Sequence, residues 1–259
     1  MLFALGAAFC VLVYLFLLNF PPVGRNSPTA GVIPVLVLAA STGWLTARFL
    51  RVDALSPAVL GLTARDRPVV RLGVGFLVGC ALTGLWLVIV TIATDATWHP
   101  NPTFGGLALL SACAFNLFNN VGEELVYRGY AFVRLADHWG AALTVLLTSS
   151  AFALLHLQAG LPWLSVLAGV FTAGLVFGAI FARWRSLPLA LGFHVATNIV
   201  QEASGLRASA ASLWVPEYPA ASAAAGPKVL AGIAVLNLVL AVSILVLARR
   251  QPTRLVRPN

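Results

Sequence analysis

From residue 2 to residue 248 the chain is a succession of apolar stretches, each about as long as the 20 residues a helix needs to cross the hydrocarbon core of a bilayer. About eight are legible on the hydropathy pattern, at 2–20, 32–50, 72–94, 105–131, 140–160, 163–183, 187–203 and 228–248. Backbone N–H and C=O groups in lipid must pair within their own helix or in a closed barrel. These runs are unbroken, without the alternation of a barrel strand. The sequence therefore predicts an all-α fold, a polytopic transmembrane helical bundle of about eight helices. Composition agrees: 60% of the 259 residues are hydrophobic and 9% charged, with a mean hydropathy of +0.93, far from the balance of a soluble domain.

The net charge of +8 does not point to nucleic acid, because the basic residues form no basic domain with interleaved aromatics. They are distributed by loop. Arg48, Arg51, Arg65, Arg67 and Arg71 lie between the second and third stretches, Arg134 follows the fourth, and Arg183 and Arg185 follow the sixth. Arg249, Arg250, Arg254 and Arg257 form the tail. The alternate loops hold Arg25, Arg207 and Lys228. Under the positive-inside rule both termini are expected in the cytoplasm, with 21–31, 95–104 and 204–227 outside and Arg25 as the one dissenting charge near the first turn. The first stretch lacks a charged leading segment and a clear small-residue cleavage site, and Pro21-Pro22 follows it, so it reads as a retained helix. A polar interruption at 51–71 reads as a cytoplasmic loop with a short interfacial helix. Trp214 and Tyr218 suit the headgroup level in the external loop. Cys10, Cys80 and Cys113 fall within spans and show no metal-ligand spacing. The Ala- and Arg-rich composition with a single Lys points to a GC-rich bacterial genome and hence a bacterial plasma membrane.

Against this apolar background, residues 119–130 read NNVGEELVYRGY. An ionisable group at membrane depth costs about 2.5–3.5 kcal/mol on insertion scales, and three within six residues therefore mark a functional candidate. At helical spacing Asn116, Asn120, Glu123 and Tyr127 share one stripe that must face protein. Glu124 and Arg128 stand at i and i+4 with the acid first, the favourable order for an ion pair, which leaves Glu123 as the free carboxylate. Asn116 and Asn119 read as polar contacts between helices. In SSAFALLHL, Phe152 and His156 are one turn apart with Ser149 on the same face; a lone intramembrane histidine is as often structural as catalytic. In LGFHVATNIVQE, His194, Asn198, Gln201 and Glu202 make one polar face, and a His and an Asn one turn apart can aim donors at a developing oxyanion. Counting residues from the flanking turns at about 1.5 Å each brings Glu123, His156 and His194 to similar depths, and their cavity is expected to open toward the cytoplasm.

The ordered set EExxxRG, FxxxH and HxxxN, each on a predicted transmembrane helix, resembles the CAAX-protease and bacteriocin-processing family of intramembrane peptidases, the CPBP or Abi family. The resemblance covers about residues 105–203, so the chain divides into N-terminal spans with a cytoplasmic loop (1–104), a catalytic core (105–203) and an external loop, last span and basic tail (204–259). It implies an endopeptidase acting on a membrane-associated peptide or protein. It further implies that Glu123 is the base that activates water, with His156 holding that water. His194 and Asn198 would stabilise the tetrahedral oxyanion, with Glu124 and Arg128 in support. Peptide hydrolysis needs such an activated water, an oxyanion site and a proton donor for the leaving amine.

Two alternatives come from other classes. A proton-coupled transporter keeps acids, histidines and asparagines in its bundle too, but it would usually show internal repeats with broken helices in matching halves, and none is visible. A non-catalytic membrane immunity or scaffold protein could retain the fold; the intact motif set argues against it. Glu123, His156 and His194 can also be read as a two-His, one-Glu zinc site. HExxH spacing is absent and Asn198 suits an oxyanion pair better than a ligand sphere, so a metal-free mechanism is favoured and zinc is the alternative.

Overall fold

The apolar stretches fold as nine helices in the described residues. They are α1 (Leu2–Asn19), α2 (Val32–Val52), α3 (Pro68–Thr94), α4 (Gly106–Arg128), α5 (Tyr130–Trp139), α6 (Ala141–Gln158), α7 (Trp163–Trp184), α8 (Leu187–Ala203) and α9 (Gly226–Ala248). This computed structural model describes residues 2–19, 31–158, 160–207 and 209–248. Pro21, Pro22, Arg25 and the tail arginines Arg249, Arg250, Arg254 and Arg257 lie outside the described residues. The all-α bundle is as the sequence predicts, and α2, α3, α6, α7 and α9 are each long and apolar enough to cross a membrane. α4 carries three asparagines and the charged trio, and α8 has 17 residues, so these two are the polar interior of the bundle.

The polarity is inverted relative to a soluble domain. Leu77 and Ile92 on α3 and Phe9 on α1 point outward, whereas Glu124 and Arg128 have no exposed surface at all. Lipid supplies no partner for a charge, so the charged groups must sit against other helices.

Small residues set the closest helix contact, between α3 and α8. A Cβ on Gly75 would lie 2.1 Å from the Leu189 carbonyl oxygen, and one on Gly192 would lie 2.1 Å from the Leu72 oxygen. Gly79 meets Phe193 and Ala196 in the same way. Glycines four apart let backbones approach where the packing of side chains, rather than expulsion of water, holds helices together.

Two features were not anticipated. The stretch expected to span continuously over 105–131 breaks at Gly129, where a Cβ would lie 2.1 Å from the Leu125 oxygen. The chain turns there into α5, a short amphipathic helix that buries Phe132 and Val133. In addition, β1 (Thr97–Pro100) and β2 (Trp214–Glu217) pair as an antiparallel ribbon, Thr97 opposite Glu217. Four-residue strands in polar loops leave no hydropathy signature. The expected interfacial helix within 51–71 is present only as two short 3₁₀ turns, Pro57–Leu60 and Ala64–Asp66. The first is capped by the Ser56 hydroxyl, and Asp66 accepts from the Thr63 amide and hydroxyl, which holds its carboxyl below the usual range.

The loops sort by end. Asp53 accepts from the Tyr130 hydroxyl at 2.6 Å and pairs with Arg134 at 3.2 Å. Gly61 sits against the Arg185 backbone, and Arg71 donates to the Trp184 oxygen at 3.3 Å. The arginine-rich loops thus share one end of the bundle. At the other end the ribbon joins 97–100 to 214–217, and Asn101 donates to the Ser209 and Ser212 oxygens.

Candidate active site

On α4, Asn116, Asn120, Glu124, Tyr127 and Arg128 are buried and Glu123 is partly open, its side chain 19% exposed. Arg128 Nη1 donates to Glu124 Oε1 at 3.0 Å, and neither side chain has any exposure. The i, i+4 pairing read from the sequence is formed. Arg128 Nη2 donates to the Gly174 carbonyl of α7 at 3.1 Å. The glycine lets α7 pack closely on α6, since a Cβ there would lie 3.2 Å from the Ser149 side chain. The guanidinium carbon lies 5.2–5.7 Å from the ring centroids of Tyr127, Phe152 and Phe177, close enough for attraction by their π faces.

Glu124 Oε1 has a second partner, His194 Nδ1 on α8 at 3.0 Å. The His194 ring stacks on Phe177 with centroids 4.2 Å apart and meets Phe152 edge-on. Its orientation is therefore fixed at one nitrogen and on one face. The other nitrogen, Nε2, stands 3.7 Å from Glu123 Oε2. That is too long for a direct hydrogen bond but within reach of an ion pair. Among the described residues Glu123 forms no ion pair with an arginine, as the spacing on α4 predicts.

His156 Nδ1 lies 2.9 Å from the Phe152 carbonyl one turn earlier. A carbonyl only accepts, so Nδ1 carries the proton and Nε2 is the free nitrogen of the neutral ring. Glu123 and His156 line one cavity of about 630 Å³ together with Asn119, Tyr127 and Phe152, its apolar wall coming from α1 and α2. Two expectations are corrected here. His194 and Asn198 are not among the residues that line this cavity: His194 packs on Phe152 and Phe177 and reaches its edge only through Nε2, 3.7 Å from Glu123, and Asn198 donates to Asn120. The lining also runs from Glu123 to Asn19, Phe115, Gln158 and Gly160, toward the arginine-poor end rather than the arginine-rich one. α6 ends only two residues after His156, and that early end leaves the space on this side.

Asn198 donates from Nδ2 to Asn120 Oδ1 at 3.0 Å and accepts at Oδ1 from Arg207 Nη2 at 2.7 Å. Asn120 was legible as part of the α4 stripe. Arg207 was not, because only the return of the loop after α8 brings it back. Glu202 accepts from the Ser209 hydroxyl and so belongs to that loop.

The zinc alternative does not fit these positions. Among the described residues no three His, Cys, Asp or Glu side chains are gathered so as to hold a metal ion. His194 itself is no obstacle, since its Nδ1 rests on Glu124, the kind of carboxylate partner a zinc-bound histidine has, and its Nε2 faces Glu123 across 3.7 Å; the fit fails on the missing ligand cluster.

Glu123 and His156 thus border one cavity, Glu124 and His194 form a buried pair beside it with His194 Nε2 3.7 Å from Glu123, and Asn198 is joined to Asn120 of the same α4. One carboxylate is neutralised and buried, and the other borders a cavity. The family model described as Rce1-like, type II CAAX prenyl endopeptidase, matches residues 105–200. No curated protein and no solved structure matches the chain.

Proposed function

With residues 105–200 matching a family of CAAX prenyl endopeptidases, we propose that this integral membrane protein is an intramembrane endopeptidase that hydrolyses a peptide bond in a membrane-associated peptide or protein. The observation that carries the reading is the division of labour between adjacent acids. Glu124 is consumed by Arg128 and His194, while Glu123 borders the cavity with His156 and, among the described residues, pairs only with His194 Nε2 at 3.7 Å.

Glu123 takes a proton from a water held by the free Nε2 of His156. The water oxygen attacks the scissile carbonyl carbon, and the carbonyl π electrons move to its oxygen. His194 gives its Nδ1–H to Glu124, so it stabilises that oxyanion in its imidazolium form, through Nε2–H, together with the Asn198 amide. Collapse breaks the C–N bond, and Glu123 returns its proton to the leaving amine. Arg128 holds Glu124 beside His194, so the pair acts by positioning.

The mechanism asks nothing of a metal, and activity is expected to survive exhaustive chelation. Under the positive-inside rule the arginine-rich end is cytoplasmic, so the substrate reaches the cavity from the opposite side. The test is cleavage of a panel of membrane peptides in detergent by the parent protein and by Glu123→Gln. Cleavage by the parent alone supports the reading; equal cleavage by both removes Glu123 as the base. Activity lost on chelation and restored by zinc alone would make the histidines ligands.

A further inference from the structure

Arg207 lies beyond α8 and outside the matched segment, yet its guanidinium turns back nine residues to donate to Asn198 Oδ1 at 2.7 Å. Among the described residues it makes no ion pair within 4 Å. Glu202, close to it in sequence, accepts from the Ser209 hydroxyl.

A guanidinium has donors only, so the Asn198 atom facing it must be the oxygen. That turns Asn198 Nδ2 toward α4, where it donates to Asn120 Oδ1. Asn120 in turn must direct its own Nδ2 elsewhere. Asn120 is fully buried, and this Nδ2 has no hydrogen-bond partner. A buried donor without a partner is rare enough to need a reason, and Glu123 stands three residues further along α4.

The two amides alone would not set this polarity. If both flipped together, the bond between them would survive with donor and acceptor exchanged. Oxygens would then face where N–H groups face now. Among the described residues bonded to the pair, only Arg207 distinguishes the two states.

We propose that Arg207 is a positioning residue that acts through Asn198 to keep the N–H ends of the Asn198–Asn120 pair turned toward the Glu123 site. An oxyanion needs donors there, and the flipped pair would offer it acceptors. The inference rests on the peptidase reading and adds a loop residue to it.

The experiment measures kcat and KM on one cleaved membrane peptide for the parent, Arg207→Met, Arg207→Lys, Asn198→Ala and the Arg207→Met/Asn198→Ala double variant. Arg207→Met is expected to lower kcat about tenfold or more, the loss typical of a hydrogen bond to a charged group, with KM within about twofold of the parent. Arg207→Lys recovers part of the loss. The double variant is expected to be no slower than Asn198→Ala alone, as required of residues acting through one another. Parental kcat in Arg207→Met, or losses that multiply in the double variant, overturns the proposal. A parent that cleaves while Glu123→Gln does not keeps the peptidase reading whichever way Arg207 behaves. If the parent cleaves nothing, that reading falls, and side-chain amide proton exchange decides the orientation claim. Faster exchange at Asn198 and Asn120 in Arg207→Met supports it, and unchanged exchange overturns it.

Discussion

Arg128 holds the Glu124 carboxylate with one terminal nitrogen and the Gly174 carbonyl with the other, in a pocket with no exposed surface. Arg128→Ala strands Glu124 as a buried charge, with an expected loss of about 3–5 kcal/mol of stability. Thermal unfolding in detergent should show a markedly lower midpoint, and a parental midpoint would mean that Glu124 finds another partner. Glu123→Gln is expected to behave oppositely. The amide is nearly isosteric and the position borders a cavity, so the midpoint should stay within a few degrees of the parent while cleavage is abolished. Much of this was legible from spacing alone, because i, i+4 partners on one helix are fixed by helical geometry. The contact of His194 with Glu124, 70 residues away, was not, since it depends on how α4 crosses α8. The commitment of the Asn198 oxygen to Arg207 was hidden for the same kind of reason: a loop's return path has no periodicity to read.

At the level of helices, the α3–α8 contact makes a sharp prediction about glycine. Gly192→Ala would drive a methyl to 2.1 Å from a backbone oxygen, and neither backbone can yield without separating the helices. A loss of at least about 1–3 kcal/mol is expected, as for overpacked cores. Gly73→Ala and Gly84→Ala, on the same α3 but with nothing within 4 Å, should be neutral or gain up to about 1 kcal/mol of helix propensity. Equal midpoints for all three variants would show that the close contact is absent. Gly75 and Gly79 show a four-residue spacing in the sequence, but nothing in it identifies Gly192 as their partner. Helix identity and extent came through because length and hydropathy decide them. The break at Gly129 did not, because α5 continues an apolar pattern and only the tight turn separates it from α4.

For the molecule as a whole, the sorting of loops by end predicts that single cysteines at Arg65 and at Pro100 or Ala220 label from opposite sides of the membrane. With the arginine-rich end cytoplasmic, an impermeant thiol reagent applied to intact cells should reach 100 and 220 only, and labelling at 65 would reverse the topology. The ribbon adds a test independent of sidedness. Cysteines replacing Thr97 and Glu217, directly opposed in the antiparallel register, should cross-link under mild oxidation, whereas a pair at 65 and 217 should not. The buried charge network also bears on how the protein is made. When α4 leaves the ribosome, Glu124 has Arg128 at hand, but Gly174 and His194 are 46 and 70 residues from being in place. A nascent α4 released singly into lipid would carry three charged side chains with most of their partners unmade. Membrane integration of α4 is therefore expected to wait for α7 and α8, and the insertion machinery must shelter it until they arrive. In cell-free membranes a single cysteine placed in α4 should react with a water-soluble thiol reagent in chains truncated after α6 and be protected in chains extended through α8.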